Sequence, residues 1–392
     1  MSKSIKIKKS LSLDDIEEIL KDINANKTID LQLPISIDYT GFGILPSFFL
    51  AFFTWVRNNN GKIILPINEN DLKKLEDFAT DYYGYVILST IWRNFDIVNK
   101  NNVNIKLSFK DFTGKMHQYI DSLTINLPNE SILVPSYDHF PKEKGLSHWF
   151  YSHDNEFFNT PSGIENSIYH ILSQINKNYK QRLKRNISDS FDDINTIVWE
   201  LLKNTDEHAT TDYLGQIKLL PNTRGLFMKI HRSSKNNFIS NTKHEGLKEY
   251  YIDALDDDEF SFFLEISVFD SGPGLIKRFL GKEWSDDRAI EKNVDTIKNC
   301  LFKGQSSVKS NEGVNKGFGL DEVLNLLDKK RGFLKIRTGN VSVYKNLIKS
   351  KYKKFDNPSE IELFDWQSLS NENYTKMPTS EGSLVTLAIP LN

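Results

Sequence analysis

One cysteine, Cys300, is all the thiol chemistry the chain contains. An internal disulfide and a thiolate metal cluster are both excluded, and a reducing compartment, the cytoplasm, is the expected setting. Cys300 itself reads as a small packed side chain rather than a nucleophile. A dominant charge is missing too. With 50 basic and 52 acidic residues the formal charge is -2, so no global field draws the protein to nucleic acid or to an acidic membrane. Nucleic-acid binding is not indicated. Long apolar runs are lacking: the greasiest, Leu45 to Val56 (LPSFFLAFFTWV), falls short of the ~20 residues of a membrane span and reads as a buried helix. The basic start, MSKSIKIKKS, runs into LSLDDIEEILKDI, an amphipathic helix pattern and not a signal-peptide core, so secretion is not expected. There is no GxxxxGK(S/T) loop and no GxGxxG after a strand, which leaves the P-loop and Rossmann readings unsupported.

What is present fits two ordinary domains, since 392 residues with 39% hydrophobic content can bury two cores. The abundance of Lys, Asn and Ile points to an AT-rich, bacterial genome. Residues 29–33 (IDLQL) and 35–39 (ISIDY) have the pattern of short strands, and Gly41 to Pro46 turns the chain into the apolar helix ending near Arg57. The NNNG at 58–61 closes that helix with residues that tolerate a left-handed cap. A buried strand at 62–66 (KIILP) and a helix from Asn70 to about Tyr83 follow. This order predicts a small α/β unit with neighbouring parallel strands over residues 1–126. Residues 127–163 are turn-rich and read as a connecting region, and a second unit spans 164–392. It begins with a helix over 164–184 whose basic end (KNYKQRLKR) is expected to be a solvated face. The acidic run at 253–260 reads as a solvated loop.

Four segments of the second unit carry chemistry. In INTIVWELLKNTDEH, residues 194–208, Ile194, Ile197, Val198, Leu201 and Leu202 share one helical face. Glu200 and Asn204 stand one turn apart, so a carboxylate and an amide oxygen point into one volume, as a metal–phosphate site requires. Next, FFLEISVFDSGPGL is a strand ending in Asp270 with Gly272 and Gly274 behind it. An acid there can accept from an exocyclic amine, while glycines admit a flat ring to the backbone. In KGFGLDEVLNLL, glycines open directly into an amphipathic helix, an arrangement that suits phosphate. The last segment is the strand EGSLVTLAIPL.

In order and company these segments resemble the N-box and the first, second and third glycine boxes of GHKL (Bergerat-fold) ATP-binding domains. That family includes sensor histidine kinases, anti-sigma-factor kinases, gyrase, MutL and the ninety-kilodalton heat-shock chaperone. The resemblance implies a two-layer α/β sandwich, a mixed sheet with helices on one face, over residues 164–392, with ATP and Mg²⁺ as cofactors. It implies that Asn204 binds Mg²⁺, that Asp270 receives the adenine amine and that Gly272 and Gly274 border the base. Gly317, Gly319 and the Leu320 amide would meet the phosphates, with Phe318 between the two glycines. Ser383 would bring a hydroxyl near the adenine, and His208, which closes the N-box, would be among the ATP-binding residues. Glu200 matches the glutamate that activates water in hydrolysing members. Glu207 departs from the basic residue of many histidine kinases. LFKGQSSVKSNEGVNKGFGL resembles a mobile lid, with Lys303 and Lys316 available to the γ-phosphate. More faintly, IDYTGFGILPSFFLAFFTWVRNNNGKIIL resembles a STAS domain, an anti-anti-sigma type, with Ser47 read as a helix-cap serine.

The function expected from this resemblance is an ATPase or protein kinase in a bacterial regulatory or stress system. It is not an orthodox sensor histidine kinase, because His170, the only helical candidate for a phosphoacceptor, lacks the acid and proline context and reads as a helix-surface or packing residue. The alternative is a non-catalytic switch in which ATP orders the lid and so alters a surface for a protein partner. A homodimer is compatible with either reading, and no membrane span is expected.

Overall fold

The computed structural model describes residues 3–122, 130–302 and 319–391. In the first unit, β1 (Lys3–Lys6), α1 (Leu13–Ala25), β2 (Ile29–Gln32), α2 (Ile44–Asn58), β3 (Ile63–Leu65), α3 (Leu72–Thr80), α4 (Tyr82–Ile91), β4 (Ile97–Asn99) and α5 (Lys110–Ser122) follow in turn. Their strands form a parallel sheet in the order β1-β2-β3-β4. Helix α1 starts at a capping box, in which Ser12 Oγ accepts from Asp15 N and Asp15 Oδ2 accepts from Ser12 N. Residues 35–39 contribute a single bridge, Asp38 to Ser10, and not a strand. The helix expected over 70–83 is two helices: Asp81 is extended and its carboxylate accepts from Tyr83 N at 2.8 Å, which caps α4. Asn59 is extended after α2 rather than left-handed, and Gly43, at φ 69°, is the N-cap of that helix. Ser47 therefore lies inside α2, buried, and caps nothing.

The second part of the chain contains β5 (Ser131–Tyr137), α6 (Lys142–Gly145), α7 (Pro161–Asn176), α8 (Gln181–Ser188), α9 (Phe191–His208), β6 (Thr223–Ser233), α10 (Lys235–Asn241), α11 (Glu245–Ala254) and β7 (Ser261–Asp270). After these come α12 (Leu275–Leu280), α13 (Ile290–Leu301), α14 (Gly319–Lys329), β8 (Phe333–Gly339), β9 (Val341–Asn346), β10 (Phe364–Asp365) and β11 (Ser380–Pro390). The seven strands run β10-β9-β8-β11-β7-β6-β5. Every neighbouring pair is antiparallel, so the expected mixed sheet is corrected. The tight reversal at Gly339 and Asn340 makes β8 and β9 a hairpin, and β11 returns between β8 and β7. The stretch 127–163, read as a connection, supplies β5, which pairs with β6 from Ser131–Lys229 to Tyr137–Thr223. Its Pro135 is tolerated because an edge strand has a ladder partner on one side only. The helix expected over 164–184 breaks between α7 and α8, where Tyr179 packs edge-on against Phe262 at 5.5 Å.

The large sheet is covered on both faces. On one, Leu226, Met228, Ile230, Leu264, Ile266, Val268, Val385 and Leu387 pack with α7, α9, α13 and α14. On the other, Phe227, Phe269 and Leu384 join the core of the first unit, and Phe263, Phe333 and Ala388 pack with α11. Helix α2 lies against this second face, its Phe49 and Phe53 at 5.3 and 6.0 Å from Phe269. Burying each such side chain contributes about 1.5–3 kcal/mol. A two-layer sandwich with helices on one face is thus replaced by a sheet held between two layers. The second face also carries Lys229, His231, Glu265, Lys335 and Arg337, all buried. Alternation of such residues with apolar ones reads in a sequence as a solvent face, but here they hold the first unit: Arg337 forks onto Glu17 at 2.8 and 3.0 Å.

No helix among the described residues is long and apolar enough to cross a membrane.

Candidate functional site

Helix α9 connects two groups of polar residues. Its buried Ile194, Ile197, Val198, Leu201 and Leu202 recur at helical spacing, and Asp192 and Asp193 in its first turn complement the helix dipole. Asp193 pairs with Lys330, just beyond α14, at 2.9 Å, which ties the two helices together. Glu200 and Asn204 then meet the first residue of α14. A Cβ built on Gly319 would lie 2.5 Å from Glu200 Oε2 and 3.6 Å from Asn204 Nδ2, so only glycine leaves the carboxylate where it is.

Burial raises the Glu200 carboxyl above its ordinary pKa, Lys203 opposes this, and the nearby Glu322 and Glu207 add to it. The Asn204 Nδ2 atom is buried with no hydrogen-bond partner among the described residues. Half a turn of the amide would put Oδ1, an oxygen suited to a hard cation, at the same point. These groups and the start of α14, where first-turn N–H groups lack helical partners, supply what a metal-bridged anion needs. Leu320 packs partly buried against the core. Lys303, Lys316, Gly317 and Phe318 lie outside the described residues.

The other end of α9 abuts the turn after β7. His208 is its last residue, largely buried, with Nε2 3.8 Å from Glu207 Oε2. Next to it, Ala209 meets Gly272: a Cβ on Gly272 would fall 2.6 Å from Ala209 O and 2.7 Å from its Cα. Asp270 ends β7, buried, and its Oδ1 accepts from Gly272 N at 2.8 Å. Burial pushes its carboxyl up to about 7, against the amide bonds of Gly272 and Ser383 and the charge of Arg224. Gly274 has φ 83°, and a Cβ there would meet Thr338 Oγ1 and Gly382 O at 2.7 and 2.9 Å. Ser383 Oγ accepts from Leu275 N at 3.0 Å, and Thr338 Oγ1 accepts from the same amide at 3.1 Å. The Ser383 hydroxyl therefore fixes the exit of the turn, with Thr338 as a second support that the sequence reading did not include.

Arg224 was missed as well. It is the cross-strand neighbour of Asp270, buried, and donates to both carboxylate oxygens of Asp138 at 2.8 and 2.9 Å. Its other terminal nitrogen is 3.1 Å from Asp206 Oδ1, which also accepts from the Tyr151 hydroxyl at 2.7 Å. Asn222 extends the network, donating to Asp138 at 2.7 Å and accepting from Ser271 Oγ at 2.8 Å. The available signal was parity: in TRGLFMKI, Arg224 falls on the same face as Leu226, Met228 and Ile230. A charge on the apolar side of a buried strand requires partners, and these come from segments far away in sequence.

Of the remaining candidates, His170 stacks on Trp149 at 5.3 Å, in keeping with a packing role. The acidic loop is exposed from Asp256 to Phe260. No cluster of metal-ligating side chains occurs among the described residues. Comparison with known proteins gives no match to a family model, to a curated protein or to a solved structure.

Proposed function

We propose that the chain is a Mg-ATP-binding protein of the GHKL type, with the nucleotide lying along α9, its adenine at Asp270 and its phosphates at Asn204 and the start of α14. The observation that carries this reading is the pair of contacts made by one helix. Glu200 and Asn204, in the middle and C-terminal half of α9, lie beside Gly319, and Ala209, the residue after its last turn, packs against Gly272. Elements distant in sequence are thereby brought together along the C-terminal half of α9, with the buried Asp270 carboxylate and Gly272 beside Ala209, and an acid, an amide and a helix start before it along the helix. In this reading Asn204 holds Mg²⁺, which neutralises phosphate charge when bound. Glu200, its basicity raised by burial, orients and deprotonates the attacking water or hydroxyl.

The test is turnover of labelled Mg-ATP by the full chain. Glu200→Gln keeps shape and removes the base, so phosphate release or self-labelling should fall by ~10²–10⁴, while ATP affinity stays within a few-fold. A turnover unaffected by that change would refute the role of Glu200. Tight binding without any turnover in the wild type supports the second reading, a nucleotide-dependent switch acting on a protein partner. That reading is favoured by the packing of α2, from the STAS-like unit, on the sheet that carries Asp270.

A further inference from the structure

Helix α2 is fastened to the large sheet at four levels. At its start, Lys229 Nζ donates to Tyr39 O at 2.8 Å, and Glu265 Oε2 accepts from Gly43 N at 3.2 Å and lies 2.7 Å from His231 Nε2. In its middle, Phe49 and Phe53 pack on Phe269. Towards its end, Thr54 Oγ1 accepts from Glu381 N at 2.9 Å, one residue before Gly382. In the last turn Arg57 Nη2 donates to Ser271 O at 3.0 Å and to Pro221 O at 3.1 Å. Ser271 is the residue between Asp270 and Gly272, and Gly382 packs against the Asp270 carbonyl so closely that no Cβ would fit. The first unit therefore holds the carbonyl that follows Asp270 and the amide that precedes Gly382, the residue packed on the Asp270 carbonyl.

We propose that Arg57 is a positioning residue for the nucleotide pocket, through which the N-terminal unit sets how firmly the Asp270–Gly272 wall is held. The proposal rests on the ATP-binding reading above and adds a control to it. Ser271 has other anchors, since its amide donates to Thr223 O and its Oγ accepts from Thr223 N at 2.8 Å. These pin it to β6, within the same sheet. The Arg57 bond is the one that crosses from the other layer, so it is the one that displacement of α2 would release. A guanidinium at this place is favoured by the C-terminal end of the α2 dipole, which offsets part of the cost of its burial. Arg57 also lines a cleft of about 650 Å³ together with Asn59, Asp96 and Pro221. Truncating it thus leaves no sealed void, and the variant is expected to fold.

The experiment compares wild type, Arg57→Ala and Arg57→Lys as full chains. In calorimetry, Arg57→Ala should weaken Mg-ATP and Mg-ADP by the same factor, about tenfold, because the wall meets the base and not the phosphates. The magnesium dependence should be unchanged, and Arg57→Lys, which can reach one carbonyl, should recover part of the loss. In hydrogen exchange on the ligand-free chains, the amides of Gly272 and Leu275 should exchange about tenfold faster in Arg57→Ala, with Phe263 to Phe269 of β7 unchanged. Wild-type affinity and wild-type exchange in Arg57→Ala would overturn the proposal, as would loss of protection along the whole of β7, which marks general destabilisation. A wild type that binds neither nucleotide refutes the ATP reading instead, and the exchange measurement still decides whether Arg57 holds the turn.

Discussion

Replacing Asp270 by asparagine should make the protein bind nucleotide less well and melt at a higher temperature. Burial lifts this carboxyl from 3.8 to about 7, so the folded state prefers it protonated. The sign follows from proton counts. Between these values the folded chain binds more protons than the unfolded one, so this group subtracts stability as pH rises through that window. The full cost, present above pH 7, is on the order of 4 kcal/mol as an upper figure. An amide of the same shape avoids it and can still accept from Gly272 N. In the proposed complex adenine asks for the opposite state, because its amine would donate to the carboxylate. With a pKa of about 7, roughly nine-tenths of the sites are ionised at pH 8 and one-tenth at pH 6, so the Asp270 contribution to affinity should fall about tenfold over that range. Phosphate oxygens of ATP titrate nearby, but they do so equally in both proteins. The decisive quantity is the ratio of the Kd of Asp270→Asn to that of wild type. It should be about 10–100 at pH 8, the worth of a charge-assisted hydrogen bond, and should shrink about tenfold by pH 6. Calorimetry gives the ratio and thermal melts give the stability difference, expected to favour the variant at pH 8 and to narrow towards pH 5. A ratio that does not move with pH, or a variant that melts lower at pH 8, would show that Asp270 does not meet the base as a buried carboxylate.

Three further outcomes are expected. Asn204→Ala should abolish the effect of magnesium on nucleotide affinity, and a titration of Kd against Mg²⁺ that matches wild type would count against its role. Gly272→Ala drives a methyl into the backbone of Ala209 and should lose nucleotide binding, whereas Gly319→Ala meets the movable tip of Glu200 and should reduce turnover more than affinity. Arg224→Met leaves Asp138 and Asp206 without their cation and should cost about 3–5 kcal/mol, read as a lowered denaturant midpoint with an unchanged slope.

The elements around the candidate site were legible because each has a local signature. The apolar stripe of α9, the alternating β7 and β11 and the glycine start of α14 are short-range patterns, and the structure forms all four. What escaped depends on residues distant in sequence. Asp81 divides a helical pattern because its side chain caps the following helix better than its backbone extends the preceding one. The stretch around Pro135 reads as loop until β6 is there to pair with it. Arg224 gains its meaning from Asp138 and Asp206, and no spacing rule links residue 224 to residue 138. Lys229, Glu265 and Arg337 were not singled out for the same reason, since alternation reports which side of a strand is polar but not what covers that side.

That alternation also explains how one strand can serve two layers. Along β7, Leu264, Ile266 and Val268 face the α9 layer, and Asp270 continues the same parity. Phe263, Glu265, Ser267 and Phe269 face the other way, with Glu265 bonded to the Gly43 amide and Phe269 under α2. Phe269, which packs under α2, and the residue proposed to grip adenine are therefore neighbours in the chain, separated by one planar peptide. Strain between the layers need not pass through packed side chains, which deform little. In the proposal it passes along a backbone that both layers already hold, with Arg57 and Thr54 on one side and Ala209 on the other. If nucleotide binds as proposed and tightens the turn from the α9 side, it should stabilise the seat of α2, and by reciprocity whatever loosens α2 should weaken nucleotide by the same factor.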